Sequence, residues 1–130
     1  MPFDVAPQRS YKDKIRDNDV AVLRQAMELL DRGWCRGTFA RNGAGSDVDP
    51  LSEAALTFCA IGAVRRAMGS RMFKGCRYRR MISLLNRASF SGQIIRTNDS
   101  GTKAGVLAAF KRAIHARING ITLERGKPIQ

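Results

Sequence analysis

The stretch "DPLSEAALTFCAIGAVRRAMG", Asp49 to Gly69, decides how this chain is read. Asp49 suits a helix N-cap, Pro50 the first helical position, and Glu53 the positive end of the helix dipole. Gly69 can terminate the helix. From Ala54 to Val64 the segment is apolar nearly all round, which predicts a central helix covered on several sides. Gly62 and the alanines around it remove bulk, so a neighbouring helix can approach closely. Cys59 within it reads as a packed thiol. The apolar run is about half the ~20 residues needed to cross a bilayer, so no membrane span is expected.

N-terminal to this segment, Val20, Leu23, Met27 and Leu30 form one apolar stripe at helical spacing. They predict a helix over Asp19–Arg32 with Asn18 as N-cap. Residues 1–17 lack periodicity and are expected as an extended N-terminal arm without a secretory signal. Gly33 stands where a helix C-terminus takes positive φ, and Trp34 and Phe39 are expected to fill the core. Asn42–Gly43 marks a tight turn in a small hairpin or ordered loop. A third helix is predicted over Lys74–Ala88, burying Tyr78, Met81, Leu85 and Ala88, with Arg79, Arg80, Ser83, Asn86 and Arg87 outside. Residues 89–101 read as a connection with a short strand at Gln93–Thr97. A last helix over Thr102–Asn119 turns Val106, Phe110, Ala113 and Ile114 inward and Lys111, Arg112 and His115 outward. The sum is a mainly α fold: one domain over residues 18–119, four helices around the buried apolar second helix, with a minor hairpin or short strands. Residues 120–130 form a polar tail that can add an edge strand.

Charge is divided sharply along the chain. Residues 1–60 hold 8 Lys/Arg and 9 Asp/Glu, a net of −1; residues 61–130 hold 15 and 2, a net of +13. No acid lies between Glu53 and Asp99. Within that gap, the seven cations Arg65, Arg66, Arg71, Lys74, Arg77, Arg79 and Arg80 fall in only sixteen residues, between Arg65 and Arg80. Such a block repels itself unless a polyanion neutralises it.

Catalytic signatures are missing. There is no GxGxxG, Walker A, HExxH or GxSxG pattern. The single histidine, His115, lies between cations on a polar face with no carboxylate to orient it. Cys35, Cys59 and Cys76 lack zinc-ligand spacing. They are expected as reduced, at least partly buried thiols of a cytoplasmic protein. No catalytic residue, metal or cofactor is therefore assigned.

The segments "LLDRGWCRGTFARNGAG", "FCAIGAVRRA" and "TNDSGTKAGVLAAFKRAI" resemble, in order and spacing, an uncharacterised family of small bacterial and phage proteins. The matching positions are Gly33, Trp34, Cys35, Gly37, Ala40 and Arg41; then Cys59, Gly62, Ala63, Arg66 and Ala67; then Asn98, Asp99, Gly101 and Thr102. The third motif is one residue shorter here. The resemblance implies a domain of bacterial or phage origin and carries no activity. Gly33–Gly43 reads as a structural clasp with Cys35 near Cys59. The alternative is a ligand pocket lined by Arg36, Arg41, Asn98 and Asp99.

The function expected is a small non-enzymatic binding protein, phage or mobile-element encoded, that contacts nucleic acid. Arg65, Arg66, Arg71, Lys74, Arg79, Arg80 and Arg87 would form the contact, because arginine's planar fork suits phosphate. The alternative is a module or inhibitor docking on an acidic host protein. Arg79, Arg80 and Arg87 are expected to point outward, so replacing all three should spare the fold.

Overall fold

The computed structural model describes residues 10–69 and 76–124. Over these residues the chain is mainly helical, with five helices and a small antiparallel sheet. Helix α1 spans Tyr11–Arg32, eight residues more than the apolar stripe indicated at its N-terminus. Its start is set by a capping box: Ser10 Oγ accepts from the Asp13 amide at 3.1 Å, and Asp13 Oδ2 accepts from the Ser10 amide at 3.3 Å. Residues 11–17 of the expected arm are thus helical, and Asn18 is no cap. The buried face of α1 is Asp19, Val20, Leu23, Ala26 and Leu30.

The largest correction falls on Asp49–Phe58, which is not helical. Asp49 Oδ1 accepts from the Leu51 amide and Ser52 Oγ from the Ala54 amide, so short side chains close local turns in competition with helix. Beyond them, the amides of Leu56, Phe58 and Cys59 donate to the carbonyls of Arg41, Gly33 and Phe39 at 2.9, 2.9 and 3.1 Å. Strand β2, Thr57–Phe58, therefore pairs antiparallel with β1, Ala40–Arg41, with Ala40 opposite Phe58. Helix α2 is only Ala60–Met68, capped by Cys59 rather than Asp49. What approaches Gly62 is strand-side backbone, not a helix: a Cβ there would lie 1.9 Å from the Phe39 carbonyl oxygen.

Helix α3, Arg77–Ala88, buries Met81, Leu85 and Ala88. A seven-residue helix α4, Ile94–Ser100, replaces the strand expected at Gln93–Thr97; its first amide donates to Asn86 Oδ1 at 2.8 Å. Helix α5, Lys103–Asn119, is capped by Thr102 and buries Val106, Ala109, Phe110, Ala113 and Ala116. The core gathers α1, α2, α3 and α5 around Leu23, Leu30, Val64, Met81, Leu85 and Phe110. The four-helix arrangement is therefore corrected to five helices among the described residues. The expected hairpin turn is present: Asn42 accepts two amides through Oδ1 and Arg41 bridges to Asp47. No strand forms over residues 121–124. Gly33 has an extended φ of −166°, and its lack of a side chain serves a close approach by the Leu56 carbonyl. Phe39 stays 38% exposed instead of entering the core. No described helix is long and apolar enough to cross a membrane.

Candidate functional site

The three motif segments meet at Asn98, on α4. Its side chain is 1% exposed and makes four hydrogen bonds. Oδ1 accepts from Trp34 Nε1 at 2.8 Å and from the Ala60 amide at 2.9 Å. Nδ2 donates to the Cys35 carbonyl and to Asp99 Oδ1, both at 3.1 Å. An asparagine amide has two donors and two acceptor lone pairs, and all four are used here. Asp99 Oδ1 also accepts from the Gly37 amide at 3.2 Å, and Arg36 donates to the Gly101 carbonyl. Arg41 donates to Asp47 at 2.9 Å and to the Gly45 and Arg36 carbonyls. Arg36, Arg41, Asn98 and Asp99 are thus brought together, and each is engaged inside the protein. Cys35 joins this node through its carbonyl, and its own amide donates to the Phe58 carbonyl next to Cys59.

A second polar node centres on Asp19 of α1. Asp19 is wholly buried, yet three arginines reach it from two other helices. Arg80 donates Nε to Oδ2 and Nη2 to Oδ1, each at 2.8 Å. Arg117 donates Nε to Oδ2 at 3.1 Å, and Arg77 Nε stands 3.9 Å from Oδ1. Helix α3 starts with three arginines and no acid in its first turn, which opposes its own dipole. Asp19 supplies the missing negative charge from α1. The bonds to Asp19 push the Arg80 guanidinium further up.

These contacts revise the cationic set. Arg80 does not point outward. Arg66 donates to the carbonyls of Pro50 and Ser52 at 3.1 and 2.8 Å, tying that turn to α2. Arg65 stacks against Phe39 at 4.1 Å and Tyr78 at 5.5 Å, and donates Nε to Tyr78 Oη. Arg71 and Lys74 lie outside the described residues. Arg79, Ser83 and Arg87 are exposed at i, i+4, i+8 along one face of α3. Arg96 on α4 is exposed as well. The expected contact set leaves out Arg96, and Arg112, expected on the outer side of the last helix, instead donates Nε to the Ala88 carbonyl at 2.9 Å. The signal for Arg96 is the acid-free run from Glu53 to Asp99 that contains it.

Cys35, Cys59 and Cys76 carry free thiols; the first two are buried, whereas Cys76 is exposed, against expectation. Burial pushes both buried thiols above the ordinary value of 9.0, with hydrogen bonds from Thr57 and from the Gly62 amide partly opposing. In native protein at pH 8, Cys76 is expected to label rapidly with a thiol reagent, and Cys35 and Cys59 only slowly. Mass spectrometry of the labelled peptides reads this directly. Above pH 9 unfolded thiols ionise while the folded pair keeps its protons, so stability is expected to fall with rising pH there. Among the described residues no three His, Cys, Asp or Glu side chains are grouped to hold a metal ion.

Fold and nodes together define a small, basic, mainly helical domain stitched by two buried polar centres. The chain belongs to the family of unknown function DUF6197, whose model matches residues 15–116. No curated protein and no solved structure matches it.

Proposed function

We propose that the chain is a non-enzymatic nucleic-acid-binding protein whose contact surface is the outer face of α3, with Arg79 and Arg87 on phosphates and Ser83 between them. One observation carries the reading. Arg79 and Arg87 lie in a run with no acid between Glu53 and Asp99, and Asp19, the acid that does reach α3, is engaged by Arg77, Arg80 and Arg117. The charge of Arg79 and Arg87 is thus left for an external anion. Eight residues of helix separate them, about 12 Å, which faces several phosphates of a nucleic-acid strand. Bidentate arginine contacts to phosphate are strong and independent of base sequence. The proposal places the protein in the cytoplasm of a bacterium or a phage-infected cell, where its thiols stay reduced.

The test is the paired variant R79Q/R87Q, which leaves Arg80 in place. Each phosphate contact adds about 0.9 to the slope of log affinity against log salt on duplex DNA, so the variant is expected to flatten it by about 2. Affinity at low salt should fall with it while the melting temperature stays within a degree or two. Unchanged affinity and slope in the folded variant would exclude this surface. Wild-type protein that binds neither DNA nor RNA, yet retains protein partners from nuclease-treated lysate, would point to an acidic protein instead.

A further inference from the structure

Phe90 is left unused by the core. It is 61% exposed, at the second position of a turn closed by the Gly92 amide donating to the Ser89 carbonyl at 3.0 Å. The turn is braced on both sides. Ser89 Oγ donates to the Leu85 carbonyl at 2.7 Å, and Ser91 Oγ is hydrogen-bonded to Thr97 Oγ1 at 2.8 Å. From α5, Arg112 donates Nε to the Ala88 carbonyl at 2.9 Å. Its guanidinium carbon then lies 4.4 Å from the centre of the Phe90 ring. A cation anchored to backbone thus stiffens the ring from one side while most of the ring remains in water. Arg87, in the last turn of α3, precedes the ring by three residues, and the exposed Ile95 and Arg96 follow it on α4.

We propose that Phe90 is a stacking platform for an unpaired base, so that the preferred ligand is single-stranded DNA or RNA. This rests on the nucleic-acid reading above and names its substrate class. Bases inside a duplex are already stacked on their neighbours; only an unpaired strand offers a free π-face to an aromatic ring. Arg112 beneath the ring adds positive charge where the strand passes, and Arg87 and Arg96 flank the ring along the chain for adjacent phosphates. An acidic protein surface would make no comparable use of a bare phenyl ring held over a guanidinium.

The experiment measures binding of the full chain to fluorescent oligo(dT), oligo(rU), a duplex and an abasic strand, all of one length, at low salt. Wild-type protein is expected to bind the base-bearing single strands more tightly than the duplex or the abasic strand. F90A should weaken the former roughly tenfold and leave the abasic strand unaffected, whereas F90W should retain affinity. The ratio of oligo(dT) to oligo(rU) affinity distinguishes DNA from RNA. The melting temperature of F90A should match wild type because the ring is exposed. If F90A binds oligo(dT) and oligo(rU) as wild type does, or the duplex or abasic strand is bound as tightly as they are, the platform is excluded. Loss of binding in R79Q/R87Q would in that case leave the phosphate surface standing. No binding by wild type to any of these probes would overturn both.

Discussion

R80Q is expected to lower the stability of the folded chain by about 2–3 kcal/mol, a melting shift of roughly 10 °C for a domain of this size. Arg80 gives Asp19 two charge-assisted hydrogen bonds at 2.8 Å, one to each carboxylate oxygen. Hydrogen bonds to charged groups contribute about 1.5–3 kcal/mol each. The low end applies because the Arg80 side chain is one-third exposed, so water already screens part of the attraction. After the substitution Asp19 remains fully buried with one good donor, Arg117, and the more distant Arg77. R79Q and R87Q on the same helix are expected to stay within about 0.5 kcal/mol of wild type, as exposed substitutions do. Urea titrations followed by circular dichroism separate the two classes. An R80Q midpoint equal to that of R79Q would show that the Asp19 node contributes little. The distinction matters for function, since replacing Arg79, Arg80 and Arg87 together confounds loss of a phosphate surface with loss of a structural ion pair.

How much could be read from sequence follows the range of the interactions. Helices α1, α3 and α5 were legible because their apolar stripes are local and long: Leu23 to Leu30, Met81 to Ala88, Val106 to Ala113. Asp49–Cys59 carries equally strong local helix signals, yet its Leu56, Phe58 and Cys59 amides pair with Arg41, Gly33 and Phe39, partners 15 or more residues away in sequence. No local pattern records that competition. Helix α4 has only Ile94 and Asn98 facing inward, and its adjacent isoleucines favour strand; a cap from Asn86 of α3 tips the balance. The start of α1 was legible in principle, since Ser10 and Asp13 have capping-box spacing. So was the Asp19 node. Asp19, Leu23, Ala26 and Leu30 share one helix face, and an acid on an apolar stripe needs a cation from elsewhere. The clasp between Gly33 and Gly43 was read as structural, and Arg36, Arg41, Asn98 and Asp99 do converge beside it. That Asn98 is its centre depends on α4, where the sequence predicts a connection with a short strand at Gln93–Thr97.

N98A should have the largest effect of any single change at that centre. It removes four hydrogen bonds at once, two of them between buried groups: those to the Ala60 amide and the Cys35 carbonyl. A buried polar group left without a partner costs about 1–3 kcal/mol, and the Ala60 amide, the Cys35 carbonyl and Trp34 Nε1 would all be affected. With the cavity left by the side chain, a loss of about 4 kcal/mol or more is expected, enough to unfold many domains of this size. N98D keeps the shape but replaces the Nδ2 donor with an oxygen that faces the Cys35 carbonyl and the Asp99 carboxylate. It should therefore also be destabilised, and the loss should shrink at low pH, where the introduced carboxyl carries a proton and can donate again. D99N serves as the control: it lies on the exposed edge of the node and relieves that repulsion, so N98D/D99N should recover part of what N98D loses. Thermal melts of the four variants decide the matter. If N98A melts within a few degrees of wild type, the three motif segments are held together by apolar packing, and Asn98 is not the point that joins them.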